Sequence, residues 1–138
     1  PSGQTNRRVS SIYRAEILFT ITIETIFTAR HQLTITGGSR EPVHSHDWVV
    51  RAAVSAETLD EMGLVCDFND LKAKLKEITT PFNGTQMEEL SCFKNTNASA
   101  ENVAKYIYDK IEPLLPSRVK LQYVEVTEAP NCRAKFSR

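Results

Sequence analysis

The stretch AEILFTITIETIFTARHQL, Ala15 to Leu33, decides how the rest of the chain is read. Ile17, Phe19, Ile21 and Ile23 alternate with Leu18, Thr20, Thr22 and Glu24. Side chains at i and i+2 leave the same face of a strand, so this period of two predicts a half-buried strand rich in β-branched and aromatic residues. TGGSREP follows, and Gly37 and Gly38 can take positive φ there without a Cβ clash. A second strand is predicted from His44 to about Ala56, with Trp48, Val50, Ala52 and Val54 on the face of His44 and His46. The two strands read as one long hairpin.

Beyond the hairpin the period changes. CDFNDLKAKLKEIT predicts a helix with Asp67 as N-cap and Asp70 in the capping-box position. Phe68, Leu71, Leu75 and Ile78 form its apolar stripe, while Lys72, Lys74 and Lys76 face water. Residues 81–98 read as an irregular loop. A second helix starts near Asn97–Ser99, carries Val103, Ile107, Ile111 and Leu114 at helical spacing, and ends before Pro116. RVKLQYVEVTEAP predicts a third strand and CRAKFS a short fourth. The order ββααββ predicts an α+β fold, a four-stranded antiparallel sheet with two helices on one face. Such a sheet has two open edges, which predicts assembly into a homo-oligomer.

Residues 1–14 are polar and read as a flexible tail, leaving 15–138 as a single domain. Seventeen basic and seventeen acidic residues cancel, which argues against broad nucleic-acid binding. No apolar run is long enough to cross a membrane. Cys66, Cys92 and Cys132 are odd in number and widely spaced, which suits a reduced cytoplasmic protein better than a disulfide framework. The arginine pair near the start precedes no cleavage-like pattern, so no export signal is read there.

Histidine is scarce: three in 138 residues, at His31, His44 and His46. In an antiparallel hairpin the end of the first strand lies beside the start of the second. The spacing H-x12-H-x-H therefore lets three imidazoles converge on one metal ion. Three ligands with an open fourth position describe a catalytic zinc site rather than a structural one. Such a metal polarises a bound oxygen or lowers the pKa of a bound hydroxyl.

Five segments, in order, resemble the 6-pyruvoyltetrahydropterin synthase superfamily, which includes the 6-carboxytetrahydropterin synthases. FTARH resembles F-x-A-A-H, and HSH resembles H-G-H. GLVCDFNDLK, Gly63 to Lys72, resembles G-x-V-x-D-F-x-x-L-K, the most specific of the five. NASAENVAKYI resembles N-P-T-x-E-N-x-A-x-Y-I, and VEVTEAP resembles a strand closing in E-T-P. The resemblance implies the tunnelling fold, in which trimers close their sheets into a barrel and stack as hexamers. It implies Zn2+ on His31, His44 and His46, and a small-molecule pterin substrate anchored by Glu128. A carboxylate suits that role because it accepts two parallel N–H bonds from the ring. Ser99 and Ala100 stand where the family's threonines line the pterin pocket; Ser99 is equally a helix cap.

The chain also departs from the family. The triad cysteine would lie four residues before His44, where Arg40 stands, and Thr79 and Thr80 stand where its Asp-His pair would be. Glu41, placed as E-x-x-H before His44, is the candidate general base, as in paralogues that use a glutamate instead of the cysteine. The bland alternative is a loop glutamate paired with Arg40. Arg30 reads as an exposed strand residue and Asp47 as pointing to the far face. Cys92 is a remote candidate for a displaced thiolate, and Cys66 could have its pKa depressed by a helix N-terminus or be buried. The expected function is a zinc-dependent pterin lyase or synthase acting on dihydroneopterin triphosphate or a related pterin, with atypical catalytic residues. The alternatives are a non-catalytic or differently specific zinc-containing pterin- or purine-binding homologue, and a zinc hydrolase on the same scaffold.

Overall fold

In the computed structural model, which describes residues 18–138, the period-two segment forms a 13-residue strand, β1 (Phe19–His31). The tail expected over residues 1–14 and the strand start expected at Ala15 lie outside the described residues. β1 stops at His31 rather than Leu33 because the next two backbone donors leave the ladder. Gln32 N–H turns to the Glu88 carboxylate, and Leu33 N–H lies 3.2 Å from Glu41 Oε1. Gly37 and Gly38 take φ of 93° and 86° in the connecting turn, conformations that a Cβ would disfavour. β2 (His44–Ala56) then pairs antiparallel with β1, in a register that sets His31 opposite His44 and Phe27 opposite Trp48.

α1 (Phe68–Thr79) is capped by Asp67, whose side chain accepts the Asn69 N–H at 2.7 Å. No capping box closes behind it: the Asp70 carboxylate pairs with Lys74 at 3.1 Å, one turn along the surface. Leu71 and Leu75 are buried as the apolar stripe requires, but Phe68 is 52% exposed. As the first helical residue it projects back past the helix end, where no turn lies beneath it. α2 (Ala100–Ile111) is capped by Ser99, which accepts the Asn102 N–H at 3.2 Å. Val103, Ile107 and Ile111 are buried, whereas Leu114 is exposed. The chain tightens to a 3₁₀ turn over Glu112–Leu114, and the 3.6-residue phase is lost.

The loop expected over 81–98 is more ordered than its composition suggests. It contains three short 3₁₀ turns, at Thr80–Phe82, Met87–Glu89 and Ser91–Phe93. Each turns an apolar residue inward: Phe82, Met87 and Phe93.

β3 (Lys120–Ala129) and β4 (Cys132–Phe136) complete one antiparallel sheet in the order β1-β2-β3-β4. The Pro130–Asn131 turn between them has Asn131 at φ 67°, a left-handed position that asparagine tolerates better than most residues. Both helices pack on one face, over Ile23, Phe27, Trp48, Val50, Val124 and Val126. The other face of β1 is exposed throughout. The β3–β4 register shifts between Thr127 and Ala129, which leaves Glu128 as the extra residue. Bulges of this kind re-aim a side chain at the end of a ladder.

Candidate metal centre and adjoining clefts

The fold brings the whole histidine complement to one end of the sheet. His31 closes β1, His44 and His46 open β2, and one ligand atom from each lies within 4.8 Å of the others. His31 is fully buried. Its ring meets His44 edge-on at 4.4 Å and Trp48 at 4.8 Å between centroids, and Trp48 is fixed in turn by donating Nε1–H to the Ala29 carbonyl at 3.2 Å. The strand period thus sets both histidines of β2 on the face where Trp48 supports the third.

The hydrogen bonds assign the ring nitrogens. His31 Nδ1 lies 2.9 Å from the Ala98 carbonyl. A carbonyl only accepts, so Nδ1 carries the proton and Nε2 is left as a bare donor of electrons. Nε2 is buried and has no hydrogen-bond partner. Glu128 Oε1 lies 2.8 Å from it, close enough for a charge pair but without hydrogen-bond geometry. On the other strand, His44 Nε2 donates to Glu41 Oε1 at 3.0 Å, which leaves His44 Nδ1 bare and 2.6 Å from His46 Nε2. Nitrogen and oxygen lone pairs this close call for a cation, proton or metal, among them. The orphaned buried nitrogen, the three-imidazole donor set and the outer acceptors that fix ring orientation all fit a zinc ion.

The remaining site residues divide between two clefts. Glu128, Ser99 and Ala100 line one cleft of about 240 Å³ together with Leu33 and Cys132. Glu128 and His46 line a second, of about 460 Å³, on the other side of the same carboxylate. Glu128 therefore stands between the histidine cluster and open space. Glu41 is not paired with Arg40; its Oε1 takes the His44 Nε2–H and the Leu33 N–H. These bonds, the one from His44 foremost, hold its carboxyl below the usual range and outweigh the desolvation expected to raise it. Burial pushes His46 down, favouring the neutral imidazole that a metal needs.

Other candidates separate cleanly. Asp47 points to the far face, where its Oδ1 accepts from Thr28 Oγ1 at 2.6 Å. Arg30 is exposed, with its backbone N–H on the Thr85 carbonyl. Burial pushes the Cys66 and Cys92 thiols up, so the helix N-terminus does not activate Cys66 and Cys92 supplies no low-pKa thiolate. Thr79 and Thr80 both donate their hydroxyls to the Lys76 carbonyl of their own helix. Two participants had no signal in the sequence. The Ala98 carbonyl and the Leu33 N–H are backbone groups, whose roles depend only on where the chain passes.

Residues 20–138 match the family model of 6-pyruvoyl tetrahydropterin synthase. The chain is 32% identical over 90 residues to human 6-pyruvoyl tetrahydrobiopterin synthase, covering 64% of this chain and 61% of that protein. It is 25% identical over 126 residues to 6-carboxy-5,6,7,8-tetrahydropterin synthase of Rickettsia bellii, covering 77% and 91%. The fold matches Caenorhabditis elegans 6-pyruvoyl tetrahydropterin synthase with a TM-score of 0.77 at 22% identity, over 88% of this chain and 96% of that one. It also matches the Plasmodium vivax enzyme carrying a substitution of a glutamate described as catalytic, with a TM-score of 0.66 at 19% identity, over 88% and 98%. The chain belongs to the 6-pyruvoyl tetrahydropterin synthase family.

Proposed function

We propose, from that membership, that the chain is a zinc-dependent pterin synthase or lyase acting on dihydroneopterin triphosphate or a close relative, with atypical catalytic residues. The observation that carries the reading is the buried, unpartnered Nε2 of His31, set among two further imidazoles and beside Glu128. His31, His44 and His46 would hold a zinc ion, which would supply Lewis-acid polarisation of the substrate's side-chain oxygens. Glu128 anchors the pterin by accepting two parallel N–H bonds from its ring. Ser99 accepts the Asn102 N–H and keeps its own hydroxyl proton for the ligand, while Ala100 gives an apolar wall.

Glu41 serves as the base. Its lowered pKa keeps it ionised at neutral pH, and both of its hydrogen bonds fall on Oε1, which leaves Oε2 for a proton from the substrate side chain. A glutamate is also the residue described as catalytic in the Plasmodium vivax relative. The reaction is then elimination of triphosphate or cleavage of the side chain. Open sheet edges and exposed Phe19 and Ile26 on β1 support a homo-oligomer, a trimer or stacked trimers. Three free thiols support a reducing compartment, the cytoplasm.

A second reading keeps the pocket without turnover. It is favoured by the threonine hydroxyls that replace the Asp-His pair, since both are engaged by their own helix. Incubating zinc-loaded protein with dihydroneopterin triphosphate and following products by mass separates the two. Turnover that disappears in His44→Ala and falls by about 10²–10⁴-fold in Glu41→Ala supports the first reading. Intact pterin retained on zinc-bound protein, without product, establishes the second.

A further inference from the structure

A third cleft, of about 530 Å³, opens beside the histidine cluster, lined by Thr34, Arg40, Glu88, Lys94, Thr96 and their neighbours. Its walls are each one residue from a group that touches the cluster. Arg40 precedes Glu41, which accepts from His44, and Asn97 precedes Ala98, which accepts from His31. Asn97 also ties the two walls together: its side chain accepts the Thr34 N–H at 2.9 Å and donates to the Thr34 carbonyl at 3.0 Å. Two of the cleft's lining residues, Arg40 and Asn97, are thus next in the chain to groups that hold the histidines.

The charges in the cleft are unspent. Arg40 and Lys94 are exposed, and neither forms an ion pair among the described residues. Glu88 is the one carboxylate in the lining; its Oε1 is turned to the Gln32 N–H, and its Oε2 is buried. Two cations against one carboxylate leave the cleft net positive, in a chain whose charges cancel overall. A guanidinium fork and a mobile ammonium, with threonine and asparagine groups between them, suit an anion with several oxygens better than a single carboxylate.

We infer that this cleft receives a polyphosphate chain through Arg40 and Lys94. Resting on the reading above, that chain is the triphosphate of the substrate, with the pterin ring on Glu128 and the side chain at the histidines. Arg40, which stands where the family's cysteine would be, then serves binding instead of proton transfer. Free inorganic polyphosphate carries the same chemistry, so the two sources are separated by experiment.

The first arm uses inorganic tripolyphosphate alone, titrated calorimetrically into the zinc-loaded full chain. Arg40→Ala and Lys94→Ala should each weaken binding by about tenfold or more. No binding to the unaltered chain, or equal binding by both cleft variants, overturns the inference. So does binding that survives in both but vanishes in His44→Ala, which would put the polyphosphate on the metal. The second arm measures KM and kcat with dihydroneopterin triphosphate. A raised KM in Arg40→Ala at steady kcat assigns the cleft to the substrate's tail. If pterin turnover is absent while tripolyphosphate still binds through Arg40 and Lys94, the pterin reading fails and the polyphosphate cleft stands.

Discussion

β2 carries two regions on one face that differ only in what lies over them. Trp48, Val50, Ala52 and Val54 point toward the helices and have no exposure at all. His44 and His46, next along the same face, are part-exposed and meet nitrogen and carboxylate instead of carbon. The strand period runs unbroken through both, so the change is not one of local structure. It follows from the end of the helix layer: α2 starts beyond Ser99, and its approach segment passes His31 with only the Ala98 carbonyl. A strand face becomes a site where its cover stops supplying carbon and starts supplying hydrogen-bond acceptors.

The two regions should respond differently to truncation. Trp48→Ala should lower unfolding free energy by about 3–5 kcal/mol, measured by denaturant titration, since it empties the centre of the covered region beneath His31. His46→Ala should change stability of the metal-free protein far less yet abolish stoichiometric zinc binding, read by metal analysis. Equal destabilisation by both would mean that the histidines are core residues and not a separate region.

Zinc itself sharpens the contrast. Free zinc at about 100 times its Kd should stabilise the protein by about 2.7 kcal/mol, and a chelator should remove that gain. The Glu41→Gln variant should retain zinc, with affinity weakened by about 10–100-fold if Glu41 orients His44. A zinc-independent melting temperature would contradict the metal reading of the buried His31 Nε2.

The smallest effect concerns the thiols. Burial raises the pKa of Cys66 and Cys92, so each holds less thiolate at pH 8 than an ordinary thiol and should alkylate slowly. Raising the pH increases that thiolate fraction, so both should speed up. Cys132, exposed at the mouth of the Glu128 cleft, should react first, as peptide mapping by mass would show. Rapid labelling of Cys92 would mean that its segment opens more readily than the buried Phe93 beside it implies.

Much of this architecture was legible in the residues because its causes are local. Alternation from Ile21 onward specified β1, the Gly37–Gly38 pair specified a hairpin turn, and Asp67 and Ser99 specified two helix starts. The same period fixed which face His44 and His46 share, and the hairpin fixed that His31 lies opposite. The outer limits of elements were less legible. β1 ends where Glu88 and Glu41 capture two backbone amides, and those carboxylates lie 56 and 8 residues along the chain from the amides they take. Phe68 and Leu114 fit an apolar stripe by spacing, yet at helix ends there is nothing for them to cover.

The sequence by itself determined the elements, their order and the three imidazoles, since periodicity and residue type act over a few neighbours. Only the tertiary structure decided which nitrogen of His31 is bare, that Glu41 meets His44 rather than Arg40, and that Arg40 and Lys94 share a cleft. The first two outcomes depend on backbone groups brought to the site, the Ala98 carbonyl on His31 and the Leu33 N–H on Glu41. Every residue carries these groups, so no residue type announces where they will converge.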